Sequence, residues 1–286
     1  MSASNRSAGR EEFGESGQPG GTATATLKVR TYGSSGPRVV VVHGGPGGCG
    51  SMAPVARGIA DSFRAFEPFQ SGTAATVAQH VAEMHEVIER CADGGAPAIV
   101  GHSWGGMLAL AYAAAHPESA GPIVLICPGT FDLASREQLR ANLDRRMDEG
   151  MRSEFERARQ LSDPNERFHA LGALSLRLYS YDLETTEQEI DQSEAGANEA
   201  TWEDMVRLQG DGTYPRAFRA IKSPVLMLHG AADPHPGRMI RASLEPYLPQ
   251  LEYREWERCG HYPWLEKATR EEFFAVLRAW LADRCA

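Results

Sequence analysis

No apolar run in the chain approaches the roughly 18 residues that a membrane-spanning helix needs, so no membrane partner is expected. Positive charge is also in deficit. Against 38 acidic residues stand 29 Lys and Arg, a net charge of −9, which lacks the basic footprint of a nucleic-acid binder. Cysteine is sparse and scattered. Cys49, Cys91, Cys127, Cys259 and Cys285 are odd in number and form no Cys-x-x-Cys pair. That pattern fits free thiols in a reducing cytoplasm better than a disulfide framework or a zinc site. No local motif marks one of them as a nucleophile. The first 24 residues lack the apolar core of a secretory signal and are rich in Ser, Gly, Ala and Glu. They read as a flexible tail. Nor is there a phosphate-binding glycine motif with a helix directly behind it. No cofactor and no metal are expected, and the oligomeric state is left open.

What remains is an ordinary globular composition, 42% hydrophobic and 23% charged over 286 residues, enough for one large domain with a sizeable core. Short apolar runs of β-branched residues recur: Val39 to Val42, Ala96 to His102, Ile123 to Ile126 and Val225 to Leu228. Continuous runs of this length suit strands buried on both faces of a parallel sheet. Helical stripes separate them, such as Val77, Val81, Met84, Val87 and Ile88. Further strands are expected at Thr24 to Tyr32, Phe63 to Glu67 and Leu251 to Glu255. Strands alternating with helices imply βαβ units and an α/β fold with a mostly parallel central sheet flanked by helices. From Phe131 to Ala220 the rhythm changes to charged, helix-prone segments, including Thr185 to Glu194 and Thr201 to Leu208. The expected organisation is a core from residues 25–130 and 221–286, with a helical insertion at 131–220.

Gly101-His102-Ser103-Trp104-Gly105 matches G-x-S-x-G and sits directly after one predicted strand and before a predicted helix. That context forces the serine onto a tight turn, with its hydroxyl above the sheet and small residues on either side. A serine hydroxyl needs a base. His261, in Cys259-Gly260-His261-Tyr262-Pro263-Trp264 after the last strand, is the candidate. Asp233, on the loop after the Val225 strand, is the candidate that orients it; His229 and His235 flank that aspartate. Ser, Asp, His is the chain order of α/β-hydrolases. The Gly-rich loop His43-Gly44-Gly45-Pro46-Gly47-Gly48 would let backbone approach a reacting carbonyl. The expected oxyanion donors are the N–H groups of Gly45 and Trp104.

With these motifs the chain resembles the α/β-hydrolase superfamily, and most of all its proline iminopeptidase (prolyl aminopeptidase) branch. The resemblance implies a helical cap inserted after the sixth strand, and release of an N-terminal residue whose amine is held by cap carboxylates. Trp202-Glu203 is similar to a Trp-Glu pair of that cap, which makes Glu203 a candidate amine anchor or, equally, an exposed helix residue. Where the branch usually has Asp-Gln-Arg-Gly, this chain has Phe66-Glu67-Pro68-Phe69-Gln70-Ser71-Gly72. Glu67 is open to two readings, facing the pocket or serving the structure. Trp202, Tyr179 and Tyr181 either line an acyl pocket or pack the cap. Three functions are carried forward. They are a serine hydrolase of a small ester, thioester, lactone or amide acting through an acyl-enzyme, an aminopeptidase, and a non-catalytic small-molecule binder.

Overall fold

The computed structural model describes residues 27–91, 93–186, 189–190 and 196–285. The expected tail at 1–24 lies outside them. Seven strands form one sheet: β1 (Val29–Tyr32), β2 (Arg38–Val42), β3 (Arg64–Pro68), β4 (Ala98–His102), β5 (Ile123–Ile126), β6 (Val225–Gly230) and β7 (Leu251–Trp256). Their order is β1-β3-β2-β4-β5-β6-β7. Only β1 runs antiparallel to its neighbour, β3; the other pairs are parallel. This is the expected α/β-hydrolase architecture.

Side chains alternate across a strand, and the apolar runs feed two cores at once. Val40, Val42, Ile99, Ile123, Leu125, Val225 and Met227 pack on one face. There they meet α2 (Val77–Cys91), α3 (Trp104–Ala115) and α8 (Gly237–Leu244). Val39, Val41, Ala98, Val100, Val124, Ile126, Leu226 and Leu228 pack on the other, against α1 (Ala53–Ile59) and α9 (Arg270–Arg284). A run that is apolar at every position therefore has both faces covered.

Four helices separate β5 from β6: α4 (Leu133–Arg146), α5 (Glu149–Arg159), α6 (Pro164–Tyr179) and α7 (Gly196–Gly210). Counted along this chain, the insertion follows the fifth strand and not the sixth, because a single described strand, β1, precedes β2. The helix expected at Thr185 to Glu194 falls largely outside the described residues. Of those described, Thr185, Thr186, Glu189 and Ile190 are not helical. The chain just before them is drawn into a backbone bridge, Leu183 with Glu266, and a Glu184 N–H to Leu265 carbonyl bond of 2.7 Å.

Among the described residues, contacts on α7, on α4 and after α6 tie the insertion to the core. On α7, the Thr201 hydroxyl donates to the Ala74 carbonyl and accepts from His80 Nε2. On α4, Asn142 donates to the Pro234 carbonyl at 2.7 Å, and Arg146 reaches the carbonyls of Leu178 and Ala232. After α6, the buried Glu266 carboxylate accepts the backbone N–H groups of Tyr181, Asp182 and Gly260 at 2.6–2.9 Å. No helix of the described residues is long and apolar enough to cross a membrane.

Candidate active site

Parallel strands deliver their C-terminal ends to one edge of the sheet, where α/β folds build their sites. The loops after β2, β4, β6 and β7 gather there. After β4 the chain turns into α3 within one residue. Ser103 sits at that turn with φ 53° and ψ −119°, a strained conformation for a residue with a Cβ. Its N–H donates to the Ile126 carbonyl at 2.9 Å, which anchors the turn to β5. The flanking glycines have a steric reason. A Cβ on Gly101 would lie 2.3 Å from the Gly105 carbonyl oxygen, and one on Gly105 would lie 2.3 Å from that of Val42. Strand and helix approach too closely for any other residue.

Asp233 and His261 meet from separate loops. His261 Nδ1 donates to Asp233 Oδ2 at 2.6 Å, and both side chains are buried. Burial alone would raise the Asp233 carboxyl, but the charges of His261 and His235 and their hydrogen bonds hold it well below the usual carboxylate range. Burial pulls the His261 imidazole below its ordinary value, and the Asp233 charge partly offsets this. Burial thus favours the neutral imidazole, the state a base needs. Its backbone is held from two sides. The His261 N–H donates to the Tyr179 carbonyl, and its own carbonyl accepts from His102 Nε2 at 3.0 Å. Through that second bond the middle residue of Gly-His-Ser links the end of β4 to the histidine loop.

Ser103 and His261 line one cavity of about 320 Å³, together with Gly45, Trp104, Trp202 and Tyr262. Gly45 has φ +116°, a backbone that only glycine adopts freely. Trp104 is the first residue of α3, so its N–H has no acceptor within the helix. Gln70, unnoticed as a functional residue in the sequence, joins these two segments. Its Oε1 accepts from Trp104 Nε1 at 2.8 Å, and its Nε2 donates to the His43 carbonyl at 3.2 Å. The His43 ring completes the link. Its Nε2 accepts the Gln70 N–H, and its Nδ1 donates to the Gly44 carbonyl at 2.9 Å. Burial lowers its pKa to about 4, so it is neutral.

Two candidate substrate contacts are corrected. Glu67 is fully buried, and its carboxylate accepts from the Tyr32 hydroxyl at 2.8 Å and the Met52 N–H at 3.1 Å. It fastens β3 to β1 and to the start of α1 and is not part of the cavity wall. Glu203 is exposed on α7 and does not line the cavity either, because the helix turns it to solvent while Trp202 reaches the cavity. Tyr179 lines the cavity, whereas Tyr181 is exposed.

Asp233, His235 and His261 bring ligand-type atoms within 4.8 Å of one another. The two imidazoles stack nearly parallel, however, 18° apart, with both Nδ1 atoms directed at the one carboxylate. Both Nδ1 atoms are therefore engaged as donors to that carboxylate. Two buried thiols, Cys127 and Cys259, are also unsuited to nucleophilic roles. Burial pushes Cys127 well above its ordinary value and Cys259 up to about 12.

A strained serine turn at the head of a helix, inside a mostly parallel sheet, defines the α/β-hydrolase class of fold. The chain belongs to the alpha/beta hydrolase family, whose model matches residues 39–276. No curated protein matches the sequence. Among solved structures it is similar to a thermophilic esterase from Thermogutta terrifontis, at 18% identity and a TM-score of 0.63, covering 91% of this chain and 94% of that one. It is also similar to a serine hydrolase involved in carbazole degradation, at 19% identity and a TM-score of 0.62, covering 90% and 95%. A third is a putative non-heme bromoperoxidase from Mycobacterium tuberculosis H37Rv, at 20% identity and a TM-score of 0.61, covering 92% and 97%. At these identities the likeness is one of fold.

Proposed function

We propose that the chain is a serine hydrolase that cleaves a small ester, thioester, lactone or amide through an acyl-enzyme. The observation that carries this reading is the shared cavity. The strained Ser103 and His261 form parts of one wall, and His261 is held by Asp233 from behind at 2.6 Å. In the proposed reaction, Ser103 Oγ attacks the substrate carbonyl carbon while His261 takes the hydroxyl proton. The electron pair displaced onto oxygen is stabilised by the N–H groups of Gly45 and Trp104. As the tetrahedral species collapses, the leaving group departs with the proton from His261. Water then attacks the acyl carbon, His261 takes its proton and returns it to Ser103, and the acid product leaves. Asp233 holds the imidazole tautomer and stabilises the imidazolium as it forms. The helices α4 to α7 act as the cap. Their contribution to the cavity, Trp202, Tyr179, Leu139 and Ser175, is mostly apolar or aromatic and suits a small acyl group. The five free cysteines support a reducing compartment such as the cytoplasm.

The aminopeptidase reading has less support. Among the described residues that line the cavity there is no carboxylate to hold a free amine. Turnover of a p-nitrophenyl acyl ester and of a prolyl arylamide, measured side by side with Ser103→Ala, tests the choice. Ester turnover abolished in the variant is the expected result. Arylamide turnover that requires a free amine would favour the aminopeptidase. Saturable binding of the ester without turnover would favour a binding protein.

A further inference from the structure

Asp233 is hydrogen-bonded by two imidazoles, and a third, His229, stands with its Nε2 3.5 Å from Oδ2. Its Oδ2 accepts from His261 Nδ1 at 2.6 Å, while its Oδ1 accepts from the backbone N–H of His235 at 2.9 Å and from His235 Nδ1 at 3.0 Å. The two rings stack with centroids 4.7 Å apart. With both Nδ1 atoms on the carboxylate, the opposite edge of each ring is turned away from it, and both residues line the cavity that holds Ser103. His235 is buried, and the one carboxylate oxygen accepts from both its backbone N–H and its Nδ1.

We propose that His235 is a positioning residue for the hydrolytic reaction: by holding Oδ1 it fixes the carboxylate for His261 and tunes how readily His261 accepts the serine proton. The proposal rests on the hydrolase reading for its catalytic consequence. The physical basis is simple. A donor on Oδ1 draws carboxylate charge away from Oδ2, and a proton on His235 places a second cation against the ring that must become an imidazolium. Both effects weaken the hold of His261 on a proton.

Other groups around His235 are fixed. On β6, His229 donates to the His235 carbonyl at 3.0 Å, and burial lowers its pKa. Tyr179, at the end of α6, lies 5.6 Å away ring to ring, and burial pushes its hydroxyl up to about 12. On α4, Arg146 is committed to the carbonyls of Leu178 and Ala232. On the outer side, Arg238 and Glu255 pair with each other at 2.6 Å. Cys127 Sγ lies within 4.8 Å of the Asp233 carboxylate, and burial pushes its thiol well above the ordinary value. That leaves His235 as the ring that both stacks on His261 and shares its carboxylate.

His235→Phe keeps the ring stack and removes both nitrogens. The expected result is an acid limb of kcat/KM displaced to higher pH by about half a unit to one unit, because His261 gains proton affinity. An acid limb unchanged from wild type would overturn the proposal. The second measurement is a proton NMR titration of the His235 and His261 ring signals in Ser103→Ala, which needs neither turnover nor a folded Phe variant. Each ring reporting the titration of the other is expected, and two independent single-step curves would overturn the proposal. An inactive wild-type enzyme would count against the hydrolase reading alone, since the NMR coupling is read without substrate.

Discussion

Trp104 Nε1 donates a 2.8 Å hydrogen bond to Gln70 Oε1, and the same amide donates through Nε2 to the His43 carbonyl. One buried side chain thus sets the distance between the Gly44-Gly45 loop and the head of α3, the two segments proposed to hold the oxyanion. Gln70→Leu, which is close in volume and has no hydrogen-bonding groups, should lower kcat about tenfold and leave KM within a few fold. That is less than the roughly 10²–10³ lost with a whole oxyanion donor. Steady-state kinetics on an acyl ester check it; an unchanged kcat would remove Gln70 from the oxyanion account.

Glu266 accepts three backbone N–H groups from two segments, one of them the loop that carries His261. It is fully buried. Glu266→Ala leaves those three donors unpaired and should destabilise the fold by on the order of 3 kcal/mol, since each orphaned buried donor costs about 1–3 kcal/mol. Urea unfolding of the variant reads this directly. An effect within about 0.5 kcal/mol, the range of an ordinary surface change, would mean that the three bonds add nothing to stability.

His43 makes folding sensitive to acid. Its folded pKa is about 4, against about 6.5 in an unfolded chain. Below the unfolded value the denatured state binds a proton that the native state refuses. Acid therefore favours unfolding, and stability falls from about pH 6.5 down to about pH 4. The full effect is on the order of 3 kcal/mol for this residue. The geometry agrees, because a proton on Nε2 would face the Gln70 N–H that it now accepts. Denaturant midpoints at pH 7.5 and pH 5 in wild type and His43→Asn test it. The variant should lose less stability between the two; an identical loss would show that His43 does not contribute.

The motifs legible in the sequence are those set by short-range sterics. Gly101 and Gly105 must be glycine because β4, α3 and the end of β2 nearly touch, and that constraint leaves a local signature around Ser103. The two-sided apolar strands are legible for the same kind of reason, since each run of valines fills both cores. Gln70, His235 and Glu266 carry no such signature. Gln70 acts on a residue 34 positions away and Glu266 on residues up to 85 away, and such pairings follow no periodic rule. Glu67 and Glu203 show the converse. A carboxylate at a strand end or beside a tryptophan looks like a binding group, but orientation decides. One is consumed by Tyr32 and Met52, and the other faces solvent.

Covalent labelling with a fluorophosphonate, followed by intact-mass analysis and peptide mapping, tests the role of Ser103 most directly. One adduct per chain is predicted, located on Ser103, absent in Ser103→Ala and formed far more slowly in His261→Ala. An adduct on another residue, or labelling that survives in Ser103→Ala, would contradict the serine-hydrolase reading.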